Sequence, residues 1–142
     1  MTGQLIDLLK REQASLVVAT ADGIRTFHGR GVADLYFLLC EARHPLEGAA
    51  VADKVVGKGA AALMVLGGVK EVTAGVVSTP ALQLLQAQGI PVRYGQEVPH
   101  IVNRSGTGLC PVEELCSGCA TAAECLPRIR QFLEERNVIS SS

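Results

Sequence analysis

The chain has 142 residues, a formal net charge of −1, 48% hydrophobic and 19% charged residues. That is one domain's worth of material and too apolar for a disordered chain. Thirteen Lys and Arg against fourteen Asp and Glu exclude a global basic field for nucleic acid, and 4% aromatics with no Trp exclude a base-stacking platform.

In chain order, Leu5, Leu8 and Leu9 recur at helical spacing behind a capping Thr2. Leu16–Thr20 is a short apolar run, and Asp22-Gly23 separates it from the β-branched and aromatic stretch Ile24–His28, which predicts a hairpin. Val32, Leu35, Tyr36 and Leu39 return to helical spacing, with Cys40 beside them as a core residue. Asp53 to Leu66 reads as a buried helix rich in Ala and Gly, stopped by Gly67-Gly68. Val69–Val77 is a strand; Thr79-Pro80 opens a helix that Gly89 ends; Pro91–Tyr94 is another strand. Gly95 to Leu109 is a long connection before a short helix at Cys110-Pro111. Thr121 to Glu124 fits a capping box for a final helix with Leu126, Ile129, Phe132 and Leu133 on its apolar face and Pro127 as a kink. This order predicts an α/β domain over 1–139, with a mixed sheet covered by helices and a flexible tail at 140–142.

Asp7, Lys10, Arg11 and Glu12 interrupt any apolar leader, and the uncharged stretch Val72–Val92 carries Pro80, Gln83, Gln86 and Gln88, which rules it out as a membrane span. Five cysteines, an odd number, point away from a disulfide framework and toward a cytoplasmic location.

Two stretches carry chemistry. With Asp53 at a helix start, Lys54 and Lys58 fall four residues apart on one face within two turns, where the helix dipole disfavours cations. Gly57 and Gly59 cost helix stability but permit close approach by another element or a ligand. The lysines thus predict a pocket for a phosphate or carboxylate, against a plainer arrangement in which Lys54 pairs with Asp53 or Asp34 and Lys58 snorkels to solvent. The second stretch is Asn103-Arg104-Ser105-Gly106-Thr107-Gly108-Leu109-Cys110-Pro111. Pro111 suits a first helical position, so Cys110 falls at the N-cap, where a thiolate is stabilised. Gly106 and Gly108 free backbone N–H groups to face an anion, with Asn103, Arg104 and Thr107 as further binding groups. The alternative is a buried cysteine in a capped turn.

Cys110, Cys116, Cys119 and Cys125 form C-x5-C-x2-C-x5-C, in which only the central pair has the usual chelating spacing. Packing cysteines or a labile pair is favoured over zinc or an iron–sulfur cluster, so no metal and no cofactor is expected. His28, His44 and His100 form no recognisable ligand or triad spacing.

The runs Val51-Ala52-Asp53-Lys54-Val55-Val56-Gly57-Lys58, Leu66-Gly67-Gly68-Val69 and Gly106-Thr107-Gly108-Leu109-Cys110-Pro111, with Asn103-Arg104, resemble a bacterial and archaeal family of uncharacterised proteins assigned to the cytidine deaminase-like fold. The resemblance covers nearly the whole chain. It implies a three-layer α/β/α domain with a sheet of about five strands. Active deaminases place zinc ligands and a proton-shuttling Glu at two helix starts, which by element order correspond to Val51-Ala52-Asp53 and Pro80 to Leu84. Val51, Ala81 and Leu84 cannot bind zinc; only Asp53 keeps carboxylate character. The resemblance therefore implies a degenerate site without zinc-dependent deamination, and homo-oligomers.

Together these readings predict a protein that binds a small anionic ligand, a nucleotide foremost, through Lys54, Lys58, Asn103, Arg104, Gly106, Thr107 and Gly108. Any chemistry would fall to Asp53 as proton carrier, with Lys54 or Lys58 as an amine nucleophile or Cys110 as a thiol nucleophile. A non-catalytic oligomeric interaction module and a metal or redox protein using the C-terminal cysteines are the alternatives. Neither nucleic acid nor membrane is expected as a partner.

Overall fold

The computed structural model describes residues 2–28, 32–101 and 111–136. Its centre is a five-stranded mixed sheet, ordered β2-β1-β3-β4-β5. Helix α1 (Thr2–Arg11) precedes the hairpin β1 (Leu16–Thr20) and β2 (Gly23–Phe27). The hairpin forms where Asp22-Gly23 predicts it: Thr20 pairs with Gly23, and Gly23 adopts φ +132°, open to glycine. β1 also pairs antiparallel with β3 (Ala50–Val56), setting Leu16 opposite Asp53.

From β3 the chain alternates. Helix α3 (Lys58–Gly67), β4 (Glu71–Ser78), α4 (Thr79–Ala87) and β5 (Val92–Val98) make two successive parallel crossovers. α3 ends where Gly67-Gly68 predicts: Gly68 is left-handed at φ +80°, and its N–H donates to the Met64 and Val65 carbonyls. α4 has Pro in its first turn, as its sequence predicts, but Ser78 rather than Thr79 is the cap, its hydroxyl accepting from the Ala81 N–H. The Thr79 hydroxyl instead donates to Glu97 Oε2 at 2.7 Å. Helices α2 (Ala33–Cys40), α5 (Pro111–Cys116) and α6 (Ala122–Glu135) complete the described elements. Thr121 caps α6 by accepting from the Glu124 N–H, and the helix runs on through Pro127.

Both sheet faces are covered. On one, Leu9 of α1 packs with Ala14, Val17, Ala50 and Ala52. On the other lies the larger cluster, where Leu16, Val18, Val51 and Val72 meet the buried run Gly59–Met64 of α3, Leu35 and Leu38 of α2, Leu85 of α4 and Ile129 of α6. Burying each such Leu or Val contributes about 1.5–3 kcal/mol.

Three sequence expectations need correction. Residues Asp53 to Val56 belong to a strand, not a helix: β-branched Val51, Val55 and Val56 pair with β4, and the helix begins only after the N-cap Gly57. β5 continues past Tyr94 to Val98, four residues further than predicted, because β4 offers an equally long parallel partner. Cys40, at the end of α2, is exposed rather than in the core.

β3 also departs from regular alternation. Asp53 pairs with Ala74 and Val55 with Val76, but Lys54 and Gly75 between them do not pair, and the gap recurs at Gly95 on β5. Val51 and Val56 lie in the same apolar cluster although strict alternation would put them on opposite faces, so the alternation breaks between them while the pairing offset with β4 stays the same on both sides of the gap. Glycine permits this at position 75, where a Cβ would sit 2.6 Å from the Lys54 carbonyl oxygen. At this break Lys54 and Val55 are exposed while Asp53 stays buried.

Gly75→Ala is expected to lower stability by about 1–3 kcal/mol through this backbone clash. Gly59→Ala should do so despite the better helix propensity of Ala, because its Cβ would overlap Val112 of α5. Urea unfolding midpoints of the two variants check both.

Candidate functional site

A cleft of about 610 Å³ opens at the C-terminal end of β3, against the first residues of β1 and the starts of α2 and α3. In parallel α/β sheets, ligands bind beyond the carboxyl ends of the strands. Among its polar lining residues are Ser15, His28, Asp34, Asp53, Lys54 and Glu113. Two of these are tied to the backbone: Ser15 Oγ donates to the Phe27 carbonyl at 3.1 Å, and His28 Nε2 lies 3.2 Å from the Glu12 carbonyl.

Asp53 is the chemically distinctive group. It is 8% exposed, and the Val55 N–H reaches its Oδ1 at only 3.4 Å. Burial pushes its carboxyl up to about 7, the negative charge of Asp34 adding to the rise and the Val55 and Lys54 backbone N–H groups opposing it. A carboxyl near neutrality can both give and take a proton. Lys54, next in the chain and exposed, stands at the cleft with its backbone N–H bonded to the Ser15 carbonyl at 3.0 Å.

The two lysines do not form the pair that helical spacing predicts. Lys54 is on a strand and Lys58 is the first residue of α3. Lys58 is absent from the cleft lining; its Nζ donates to the Cys119 carbonyl in the turn between α5 and α6. Of the sequence-predicted residues, the cleft therefore unites Asp53 and Lys54 and excludes Lys58. Asn103, Arg104, Gly106, Thr107, Gly108 and Cys110 lie outside the described residues.

Sequence reasoning missed Glu113. It is 3% exposed, and its carboxylate accepts three hydrogen bonds: Oε1 from the Lys58 N–H at 2.9 Å and the Ser78 hydroxyl at 3.2 Å, Oε2 from the Ile101 N–H at 2.6 Å. These donors stand at the start of α3, at the cap of α4 and in the segment just after β5. A buried carboxylate is tolerated here because two helix N-termini and three polar hydrogens face it. The place that the dipole argument offers to a bound anion is thus taken by a carboxylate of the chain itself. Gly57 and Gly59 have the same explanation: a Cβ on Gly57 would approach Ile101 and Glu113, and one on Gly59 would overlap Val112. They admit α5 rather than a ligand. An acidic residue in a helix's first turn is too common to single out Glu113 in advance.

Three of the cysteines converge. Cys116 closes α5, Cys119 lies in the following turn and Cys125 lies early in α6, all free and buried. Among the described residues no group of three His, Cys, Asp or Glu has an arrangement able to hold a metal ion.

Removing the Glu113 carboxylate strands buried donors. Glu113→Ala is expected to lose about 3 kcal/mol of stability. Glu113→Gln should lose less but still destabilise, since its amide has one oxygen for the same donors. Thermal unfolding of the two variants checks the order.

No curated protein matches the chain. A family model described as "TM1506: Domain of unknown function (DUF1893)" matches residues 4–133. The crystal structure of a DUF1893 family protein (TM1506) from Thermotoga maritima matches with a TM-score of 0.83 and 25% identity, over 91% of this chain and 87% of that one. With a family model spanning β1 through β5 and most of α6, the chain belongs to the DUF1893 family, a domain of unknown function.

Proposed function

We propose that the protein binds a small anionic ligand, a nucleotide, in the cleft at the end of β3, with Asp53 as its proton carrier. The observation that carries this reading is the pairing of a buried carboxyl poised near neutrality with an adjacent lysine in a cleft of about 610 Å³, a size suited to a small-molecule ligand. The mixed lining narrows the chemistry. Asp34 and Asp53 favour hydrogen-bond donors such as the amino and ring N–H groups of a base, whereas Lys54 favours a phosphate. A nucleotide has both.

The segment from Asn103 to Cys110 remains in the proposal as a further wall, with Arg104 as a binding group and Cys110 as the reactive thiol. Supporting this, Ile101 and Val112, which flank that segment, both line the cleft. The proposal further reads the architecture as a three-layer cytidine deaminase-like fold that no longer performs zinc-dependent deamination. The donor set does not fit zinc. The first deaminase motif, placed by element order at Val51-Ala52-Asp53, falls inside β3, and the true start of α3 is Gly57-Lys58-Gly59-Ala60. That segment and the start of α4, Thr79-Pro80-Ala81, offer no thiol, imidazole or carboxylate.

Titration of nucleoside monophosphates followed by heteronuclear NMR tests the binding. Shifts centred on Val55, Ala60 and Ile101 are expected, and Lys54→Ala should weaken the affinity about tenfold with the fold retained. No shifts at millimolar nucleotide would overturn the reading.

Asp53 also fixes a pH dependence. Its folded value, about 7, lies above its unfolded 3.8, so the folded protein holds this proton more tightly. Its contribution to stability is complete below the unfolded value, falls as pH rises through that window and is gone above about 7. Asp53→Asn should flatten this slope and make the protein more stable than the parent at alkaline pH. Denaturant unfolding across the window measures it.

A further inference from the structure

The turn between α1 and β1 borders the cleft through Gln13, Ala14 and Ser15. It closes α1 with a Schellman motif. The Gln13 N–H donates to the Lys10 carbonyl at 3.2 Å and the Ala14 N–H to the Leu9 carbonyl at 2.9 Å, while Leu9 and Ala14 share one apolar cluster. Gln13 holds the left-handed position of the motif, at φ +54°. Glycine is the usual occupant of that position, because it has no Cβ to clash.

The same motif closes α3 and α4. There the Val69 N–H reaches the Met64 carbonyl and the Ile90 N–H the Leu85 carbonyl. Both use glycine at the left-handed position, Gly68 at φ +80° and Gly89 at φ +72°. Of these three helix ends, the one bordering the cleft alone carries a side chain there. The turn is also pinned from several sides. His28 Nε2 lies 3.2 Å from the Glu12 carbonyl, the Ser15 N–H donates to the Phe27 carbonyl at 2.9 Å, and the Ser15 carbonyl accepts from the Lys54 N–H at 3.0 Å. An unfavourable backbone conformation persists where its surroundings fix it in this way, and such positions gather at ligand sites.

We propose that Gln13 is the specificity-determining residue of the cleft, its carboxamide reading the base of the bound nucleotide. This inference rests on the nucleotide reading above and adds the group that tells one base from another. Of the polar lining residues, Ser15, His28 and Glu113 are already bonded within the chain. Gln13 is left for a ligand beside Asp34, Asp53 and Lys54, and it is the neutral member of that set. Lys54 suits the phosphate. A carboxamide offers a donor next to an acceptor, the pattern that a base edge presents in return. A two-bond contact of this kind discriminates against a wrong base by about tenfold or more.

The test compares the parent with Gln13→Gly by calorimetric titration of the four nucleoside monophosphates of adenine, guanine, cytosine and uracil, and of ribose 5-phosphate, which has no base. The parent is expected to separate its best from its worst nucleotide by at least about tenfold. Gln13→Gly should narrow that spread to threefold or less and leave the affinity for ribose 5-phosphate within twofold. Its thermal midpoint should equal or exceed the parent's, since glycine suits the left-handed position. Four outcomes would overturn the assignment: a parent that binds all four nucleotides alike, a spread that survives in Gln13→Gly, an equal loss of affinity for ribose 5-phosphate, or a lower midpoint, which would make the side chain a support of the fold. A parent that binds no nucleotide would instead remove the reading of the cleft itself, and this assignment with it.

Discussion

A single buried carboxylate organises the working end of this protein. Glu113 gathers hydrogens from the start of α3, the cap of α4 and the segment leaving β5, and it does so from a helix of only six residues. Such a group is costly to bury without partners and strongly favourable with them. Neither ion pair among the described residues involves it, so helix termini and hydroxyl dipoles supply what a cation would elsewhere. Because these donors come from stretches far apart in sequence, the carboxylate fixes the relative placement of elements that the sheet alone would not orient.

Much of the fold is legible in the sequence where local chemistry has one solution. The hairpin at Asp22-Gly23, the stop at Gly67-Gly68 and the cap at Thr121 all formed where turn and capping rules place them. The failures cluster between Val51 and Gly59, the segment on which the candidate site depends. There Val, Ala and Gly fit a buried strand and a buried helix about equally, and only the long-range pairing with β1 and β4 decides. Misreading that boundary by a few residues put Asp53 at a helix start and set Lys54 beside Lys58. The glycines misled in a related way. Gly57 and Gly59 mark a close approach, as glycines often do, but the approaching element is α5, some fifty residues away in sequence. Glu113 and the convergence of Cys116, Cys119 and Cys125 depend on the same docking, which local patterning does not reveal.

One residue, Lys58, links the buried carboxylate beside the cleft to the turn between α5 and α6. Lys58 gives its backbone N–H to Glu113 and its ammonium to the turn that carries Cys119. The cation that sequence spacing assigned to a ligand thus serves as a strut between two clusters of ionisable groups. Lys54, by contrast, is a lining residue of the cleft, together with Asp34, Asp53 and Glu113.

In β3, where a group sits and how strongly it holds a proton have separate causes. Main-chain pairing on both flanks, with Leu16 and with Ala74, sets the coordinates of Asp53. Its acidity comes from elsewhere, from desolvation and from Asp34 on α2. Substitutions in the surrounding side chains therefore retune this carboxyl without relocating it. A scaffold built this way can drift between acid-like and base-like behaviour through changes that leave its backbone untouched.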